Sequence, residues 1–290
     1  MTYRIVNSGT DRESWLEART HGVTATDVAR LASGGASVIG AIKAEKVGMG
    51  RRFETRATRH GHDREPIIAA YAADAFALAP STALLASAAR PEHMATPDML
   101  GANTVGEIKT TVHDWTSIAD VPKRYHDQMQ WEMYVAEATR CFLIYEPHEG
   151  FVPIYPDPRH FIIPRDDDRI SELITIADEF MASDAEPDPD AAELDALLNA
   201  YADAEEMAAP MLRRRDEARA AIEEFLHGQP RKFPGTRALL TRSADGTRRT
   251  FQPTKLRDDH PDLYDAYTVE APVKGRLTIS LRGSDDRHNQ

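Results

Sequence analysis

The apolar positions of this chain keep a helical spacing at first and then alternate. Trp15 and Leu16 follow Thr10-Asp11-Arg12-Glu13, where Thr10 and Glu13 have capping-box spacing, which predicts a helix running to about Arg19. Gly22 ends that connection, and Thr24 and Asp27 repeat the box, so GVTATDVARLA predicts a loop entering a second short helix. After Gly61, the residues Ile67, Ile68, Tyr71 and Phe76 mark one face of an amphipathic helix with Pro66 in its first turn. The period then shortens. EHMAT and TVGEIKTT flank a Gly-Ala-Asn turn, and RCFLIYEP and GFVPIYP flank His148-Glu149-Gly150, which predicts two hairpins. Between the hairpins, Pro122 opens a helix over KRYHDQMQWEMYVAEA. That order predicts an α/β fold, a mixed central sheet with helices packed on it.

Beyond residue 166 the texture changes. A helix through Leu173 and Ile176 is followed by the Pro/Asp-rich break SDAEPDPD and by a long Ala/Glu/Arg-rich helix from about 190 to 227. HGQPRKFPG ends it. The tail shows a hairpin signal at Asp245-Gly246, a helical pattern over KLRDDHPDLYDAYT and a last strand over GRLTISLRG. The expected division is a core over 1–185 and, over 186–290, a long acidic helix with a small α+β module.

At 290 residues and 41% hydrophobic, the chain can bury one substantial core with room for an appended module. The single cysteine, Cys141, excludes an intramolecular disulfide and a four-cysteine metal site, which suits a reducing cytoplasm. MTYRIVNSGT has no apolar segment of a signal peptide, and the apolar stretch 69–89 is broken by Asp74 and Pro80, so no membrane association is expected. A net charge of −12 argues against a nucleic-acid partner until it is located. Residues 166–229 alone carry −14, so the rest of the chain sums to +2, with basic density over 43–64. A phosphate-binding face is therefore compatible with the composition, as is a solvated basic loop.

The chemistry centres on TPDMLGANTVGEIKTT, residues 96–111. In a strand, Glu107 and Lys109 project from one face and Ile108 from the other. Asp98 from the neighbouring strand and Glu107 could supply two oxygen ligands to a hard divalent cation such as Mg²⁺, with the Ile108 carbonyl as a third. Lys109 would then stand beside the attacking water, where it could orient it or neutralise charge developing on a phosphoryl group. An exposed hairpin with a cross-strand ion pair has the same spacing.

Four blocks, WLEARTHGVTATDVARL, GHDREPIIAAY, TPDMLG to GEIKTT, and YHDQMQWEMYV, occur in this order over about residues 10–165. Together they resemble the lambda-exonuclease-like, YqaJ-type viral recombinase family of the PD-(D/E)xK nucleases. The resemblance implies a restriction-endonuclease-like core, with Asp98 and Glu107 as metal ligands, Lys109 as the catalytic lysine and Glu65 as a further ligand or supporting carboxylate. Tyr125 and Gln128 match the family's Tyr-x-x-Gln element beside the active centre. Arg19, Thr24 and Thr26 match its segment contacting a DNA 5′ phosphate, with Thr26 in place of serine. It further implies Mg²⁺, with Mn²⁺ as a substitute, and 5′→3′ degradation of duplex DNA ends to leave 3′ single strands for an annealing protein. A homo-oligomeric ring trimer and a phage- or prophage-encoded protein of the bacterial cytoplasm follow by the same resemblance.

Other residues carry less weight. His62 and His93 lie near Glu65 and Asp98, but an oxygen-rich site does not need them. The helical spacing of Trp15 and Trp131 favours core packing over base stacking. Arg51 and Arg52 before Phe53 could clamp a DNA strand, or belong to a basic loop. Two alternatives stand beside the exonuclease: an endonuclease of the same fold, and a non-enzymatic acidic DNA mimic or scaffold built on segment 166–229.

Overall fold

The structure, a computed structural model, describes residues 3–49 and 54–281. They divide into two compact units, the first through Pro210 and the second from Met211. Arg51, Arg52 and Phe53 lie outside the described residues.

The first unit opens with β1 (Tyr3–Asn7) and α1 (Arg12–Thr20). The cap of α1 is Asp11 rather than Thr10: its carboxylate accepts from Ser14 N at 3.0 Å, one residue later than the Thr10–Glu13 spacing predicts. The second box forms as expected and opens α2 (Ala25–Gly34), with Thr24 N donating to Asp27 Oδ2 at 2.9 Å. Next comes α3 (Ser37–Lys46), which the sequence pattern does not announce. Its cap, Ala36, offers no side-chain acceptor, and burial of Ala41, Ile42 and Ala44 holds it in place. Helix α4 (Arg56–Phe76) starts at Thr55, whose hydroxyl accepts from Thr58 N at 3.1 Å. Pro66 is therefore inside the helix, not in its first turn, and the His62 carbonyl lacks the N–H that residue 66 would supply.

Short strands follow: β2 (Ala79–Pro80), β3 (Leu84–Ser87), β4 (Met94–Ala95) and β5 (Met99–Gly101), then the longer β6 (Thr104–Thr111). The EHMAT strand, β4, does not pair with β6. It completes a separate antiparallel sheet of order β1-β3-β4. The hairpin partner of β6 is β5, joined by Ala102 and Asn103, with Asn103 at φ 51°, a conformation asparagine tolerates in two-residue turns. Asp98 thus sits immediately before the strand that faces Glu107.

Helix α5 (Lys123–Val135) starts after Pro122 as predicted and carries the chain over to β7 (Arg140–Glu149). β7 runs parallel to β6, with Glu107 beside Leu143 and Lys109 beside Tyr145. It turns into β8 (Val152–Pro153), the predicted second hairpin, and also pairs with β9 (Arg159–Pro164), a strand not foreseen. The main sheet is therefore mixed, in the order β2-β5-β6-β7, with β8 and β9 both on β7. Its helices pack through Trp131, Val28, Leu85 and Leu173 in one cluster and through Ile68, Met99, Ile108 and Phe142 in another. Trp131 is wholly buried, its Nε1 donating to Met94 O at 2.9 Å, and Trp15 packs beside Leu84, Ala86 and Met94, so both serve the core.

Helix α6 (Asp167–Ala182) follows, then α7 (Pro189–Leu226). The start of α7 is fastened to the core. Ala192 packs with Ala41 and Ala44, Arg30 pairs with Asp195 at 2.9 Å, and Asp188 N donates to Gly40 O at 2.9 Å. A Cβ on Gly40 would stand 2.9 Å from that of Asp188, so only glycine permits this approach. A chain ending after residue 185 should consequently melt lower than one ending after Pro210, by roughly 5 °C. Thermal unfolding of the two fragments measures it, and equal midpoints would remove the fastening role.

In the second unit, β10 (Arg231–Pro234) and β11 (Leu239–Arg242) pair with each other. The hairpin turns over 235–238, not at Asp245-Gly246, which carries no regular structure. The predicted helix over KLRDDHPDLYDAYT is two, α8 (Pro253–Asp259) and α9 (Pro261–Tyr267), broken where His260 precedes proline. The described part of GRLTISLRG, 275–281, forms no strand. Among the described residues no helix is long and apolar enough to cross a membrane.

Candidate active site

β6 delivers Glu107 and Lys109 to one point: the Lys109 ammonium donates to Glu107 Oε1. Ile108, between them, turns the other way into the apolar cluster under α4. Asp98 is held by the backbone, its Oδ2 accepting from Ile108 N at 2.8 Å. From α5, Gln128 Nε2 reaches the same Glu107 Oε1 at 2.6 Å, and the Tyr125 ring lies 5.0 Å from Lys109 Nζ, close enough for a cation–π contact. Glu65 comes from α4 and lines the same cavity as Ile108, Lys109 and Tyr125. The structure therefore brings together Glu65, Asp98, Glu107, Lys109, Tyr125 and Gln128 from four segments.

The electrostatics follow from crowding acids with one base. Burial, then the Glu107 charge, pushes the Asp98 carboxyl well above its usual range, against the opposing pull of Lys109 and the Ile108 amide. Burial would lower the Lys109 pKa, but Glu107, Tyr125 and Asp98 outweigh it and hold the ammonium above its ordinary value. Lys109 is thus a fixed positive charge at neutral pH rather than a proton acceptor.

Sequence reasoning missed Glu132. It lies one helical turn beyond Gln128, is fully buried, and accepts from Gln128 Nε2 at 3.0 Å. The i, i+4 spacing with Gln128 was the available signal: a carboxylate on the inward face of QMQWEMYV.

A cavity of about 350 Å³ opens beside this cluster, lined by Thr58, His62, Lys109 and Arg124 among others. Asp203, Glu206 and Met207 of α7 form part of its wall. Thr55 Oγ1 donates to Asp203 at 3.2 Å, and Arg124 lies 3.6 Å from Glu206. His148 closes another side; burial, followed by His60, lowers its pKa to about 4, so it is neutral at pH 7. His62 borders the cavity, whereas His93 is in the core, 3.1 Å from the Tyr134 hydroxyl.

The donors fit a divalent cation of the Mg²⁺ type. Among the described residues no group of three or more His, Cys, Asp or Glu could hold a metal ion alone. Mg²⁺ commonly binds through one or two carboxylates, waters and substrate phosphates, which Asp98 and Glu107 match. Glu107 Oε2 is buried without a hydrogen-bond partner, an oxygen left over by the fold.

Arg19, Thr24 and Thr26 form a second group. The Arg19 guanidinium stacks over Trp15 at 4.4 Å and donates to Thr96 Oγ1 at 3.4 Å, two residues before Asp98. Lys46 Nζ donates to the Arg19 carbonyl at 3.1 Å and to Asp27 at 2.8 Å, joining α1 to the N-terminus of α2. Thr24 is 2% exposed and its hydroxyl is committed to Asp27 at 2.8 Å. Thr26 is exposed on the first turn of α2, so it is the hydroxyl of this pair that faces solvent.

Comparison with known structures gives partial likenesses. An alkaline exonuclease of Laribacter hongkongensis, in complex with dAMP, is 25% identical over 59% of this chain and 91% of its own, with a TM-score of 0.49. A phage-related exonuclease from Haemophilus somnus 129PT is 13% identical over 55% of this chain and 92% of its own, with a TM-score of 0.41. No curated protein matches the chain. The family model of the YqaJ-like viral recombinase domain matches residues 14–139. That span, which is similar to the YqaJ-like viral recombinase domain, contains the candidate site from Arg19 through Glu65 to Glu132.

Proposed function

We propose that the protein is a metal-dependent exodeoxyribonuclease that degrades linear duplex DNA 5′→3′ from phosphorylated ends. The observation that carries the reading is Glu107: buried, bonded through one oxygen to Lys109 and Gln128, its other oxygen buried without a partner, and its strand neighbours Ile108 and Lys109 lining the cavity. A bound Mg²⁺ or Mn²⁺ would supply Lewis acidity toward the scissile phosphate. Asp98, Glu107 and the Ile108 carbonyl, supported by Glu65, would hold it.

The chain's own groups do the rest. Lys109 places a permanent positive charge where negative charge grows on the phosphoryl oxygens, the interaction that accelerates such displacements most. Gln128 keeps Glu107 aimed, and Tyr125 limits where the Lys109 ammonium can swing. Arg19 and Thr26, with the N–H groups of the α2 N-terminus, are suited to a terminal phosphate dianion. The 3′ single strand left behind is the substrate of an annealing protein, and a ring of three subunits would keep the duplex enclosed between cuts.

The test is degradation of end-labelled linear duplex and closed circular duplex, with Mg²⁺, with Mn²⁺ and with chelator. The linear duplex should shorten only with metal, and the circle should stay intact. Cut circles would favour the endonuclease of the same fold. No cleavage of either substrate would leave the acidic segment and its DNA-mimic role as the better account.

A further inference from the structure

Glu132 is the least explained group of the site. Its side chain is wholly enclosed, its Oε2 has no hydrogen-bond partner, and among the described residues no lysine or arginine forms an ion pair with it. Burial, then the charges of Glu107 and Asp98, pushes its carboxyl well above the usual range. A carboxylate so placed destabilises the fold, and a core position on α5 between Trp131 and Met133 would be filled better by an apolar side chain.

The Gln128 amide shows what the carboxylate does. Its NH₂ end bridges two acceptors, Glu107 Oε1 at 2.6 Å and Glu132 Oε1 at 3.0 Å. A primary amide has nearly the same shape either way round, so its partners decide its orientation. Glu107 Oε1 and Glu132 Oε1 both accept, a proton on Glu132 being carried by its other oxygen, Oε2, so only the NH₂ end fits and a flipped amide would set its carbonyl oxygen against two acceptor oxygens. Without Glu132, one of the two contacts that select this orientation is gone.

We propose that Glu132 is a positioning residue: it holds the Gln128 amide with an N–H on Glu107 Oε1, which leaves Glu107 Oε2 as the oxygen offered to the cation. The inference rests on the nuclease reading of the site. Groups that orient a metal ligand from behind typically change metal affinity by about 10–100-fold when removed.

The experiment is a calorimetric Mn²⁺ titration of the full chain without DNA, together with thermal unfolding. Glu132→Met, close in length and apolar, should melt no lower than the unmutated protein yet bind Mn²⁺ at least about tenfold more weakly. A role confined to packing would move the two readouts together instead. Gln128→Ala should weaken Mn²⁺ to a similar degree, and the double variant no further, since Glu132 acts through Gln128. Glu132→Gln keeps the volume and offers Gln128 a carbonyl acceptor, so it should stay within about threefold of the unmutated affinity. Unchanged affinity in Glu132→Met, additive losses in the double variant, or a Gln variant as weak as the Met variant would each overturn the proposal. If Glu107→Ala loses Mn²⁺ while Glu132→Met does not, the nuclease reading survives and this inference alone fails. An unmutated chain that binds no Mn²⁺ removes both.

Discussion

Glu107→Ala, Lys109→Ala and Asp98→Ala should each yield a folded protein that cuts duplex DNA at least about a thousandfold more slowly than the unmutated chain. The size of the effect comes from what each group touches. Glu107 is the hub, bonded to both Lys109 and Gln128, so its removal takes away the proposed ligand oxygen and frees the ammonium at once. Lys109→Ala leaves a buried Glu107 carboxylate with no counter-charge and the reacting phosphate without its fixed cation. Asp98→Ala removes the acceptor that fastens the Ile108 amide, 2.8 Å away, and with it the second acidic oxygen donor. Folding should survive, because none of the three side chains belongs to the apolar cluster under α4, into which Ile108 turns instead. Initial rates on end-labelled duplex, with circular dichroism as the check on folding, decide the matter. Near-normal turnover by a folded Glu107→Ala protein would sink the site assignment.

Arg19→Ala should slow attack on 5′-phosphorylated duplex by roughly 10–100-fold, the equivalent of about 1.5–3 kcal/mol for a charge-assisted hydrogen bond, and change attack on a 5′-hydroxyl end far less. A terminal phosphate carries more charge than an internal diester, so a guanidinium that meets the end of a strand can tell it from the middle. Arg19 is held by stacking on Trp15 and by its bond to Thr96, a short step along the chain from Asp98, as the proposed task requires. Thr26→Ala should act in the same sense and more weakly, as loss of one neutral donor. Thr24→Ala should instead lower stability by about 1 kcal/mol, because that hydroxyl caps α2. The comparison of phosphorylated and hydroxyl ends is made at limiting substrate. Equal rates on both ends in the unmutated protein would eliminate the end-reading group.

Much of the site was legible because its signals are local. Two-residue alternation put Glu107 and Lys109 on one side of a strand, and Pro122 with the following helical pattern placed Tyr125 and Gln128 on α5, as the structure has them. Features decided by distant partners were not legible. Helix α3 has no capping side chain and is formed by what it packs against, so its sequence carries no start signal. The strand opposite β6 was misassigned because EHMAT and Met99–Gly101 are both short and apolar, and only the two-residue turn at Asn103 selects the second. Glu132 was missed for the opposite reason: its position reads as core, and only the side chains around it reveal that a carboxylate there has a task. In the tail, Asp245-Gly246 has the composition of a turn but no pair of strands to join.

The parallel pairing of β6 with β7 has a consequence for the order in which the candidate site is assembled. Neighbouring parallel strands cannot zip from a tight turn; the whole crossover, here α5, must be made before the second strand can dock. Glu107 rides on the first strand and Gln128 on the crossover, so their contact requires the crossover helix to be docked. A chain still emerging during synthesis, or one caught partly folded, therefore carries every acidic residue of the site but no assembled centre. Under the proposed function, where the cell's own DNA would be a substrate, the topology itself would keep the chain harmless until folding is complete.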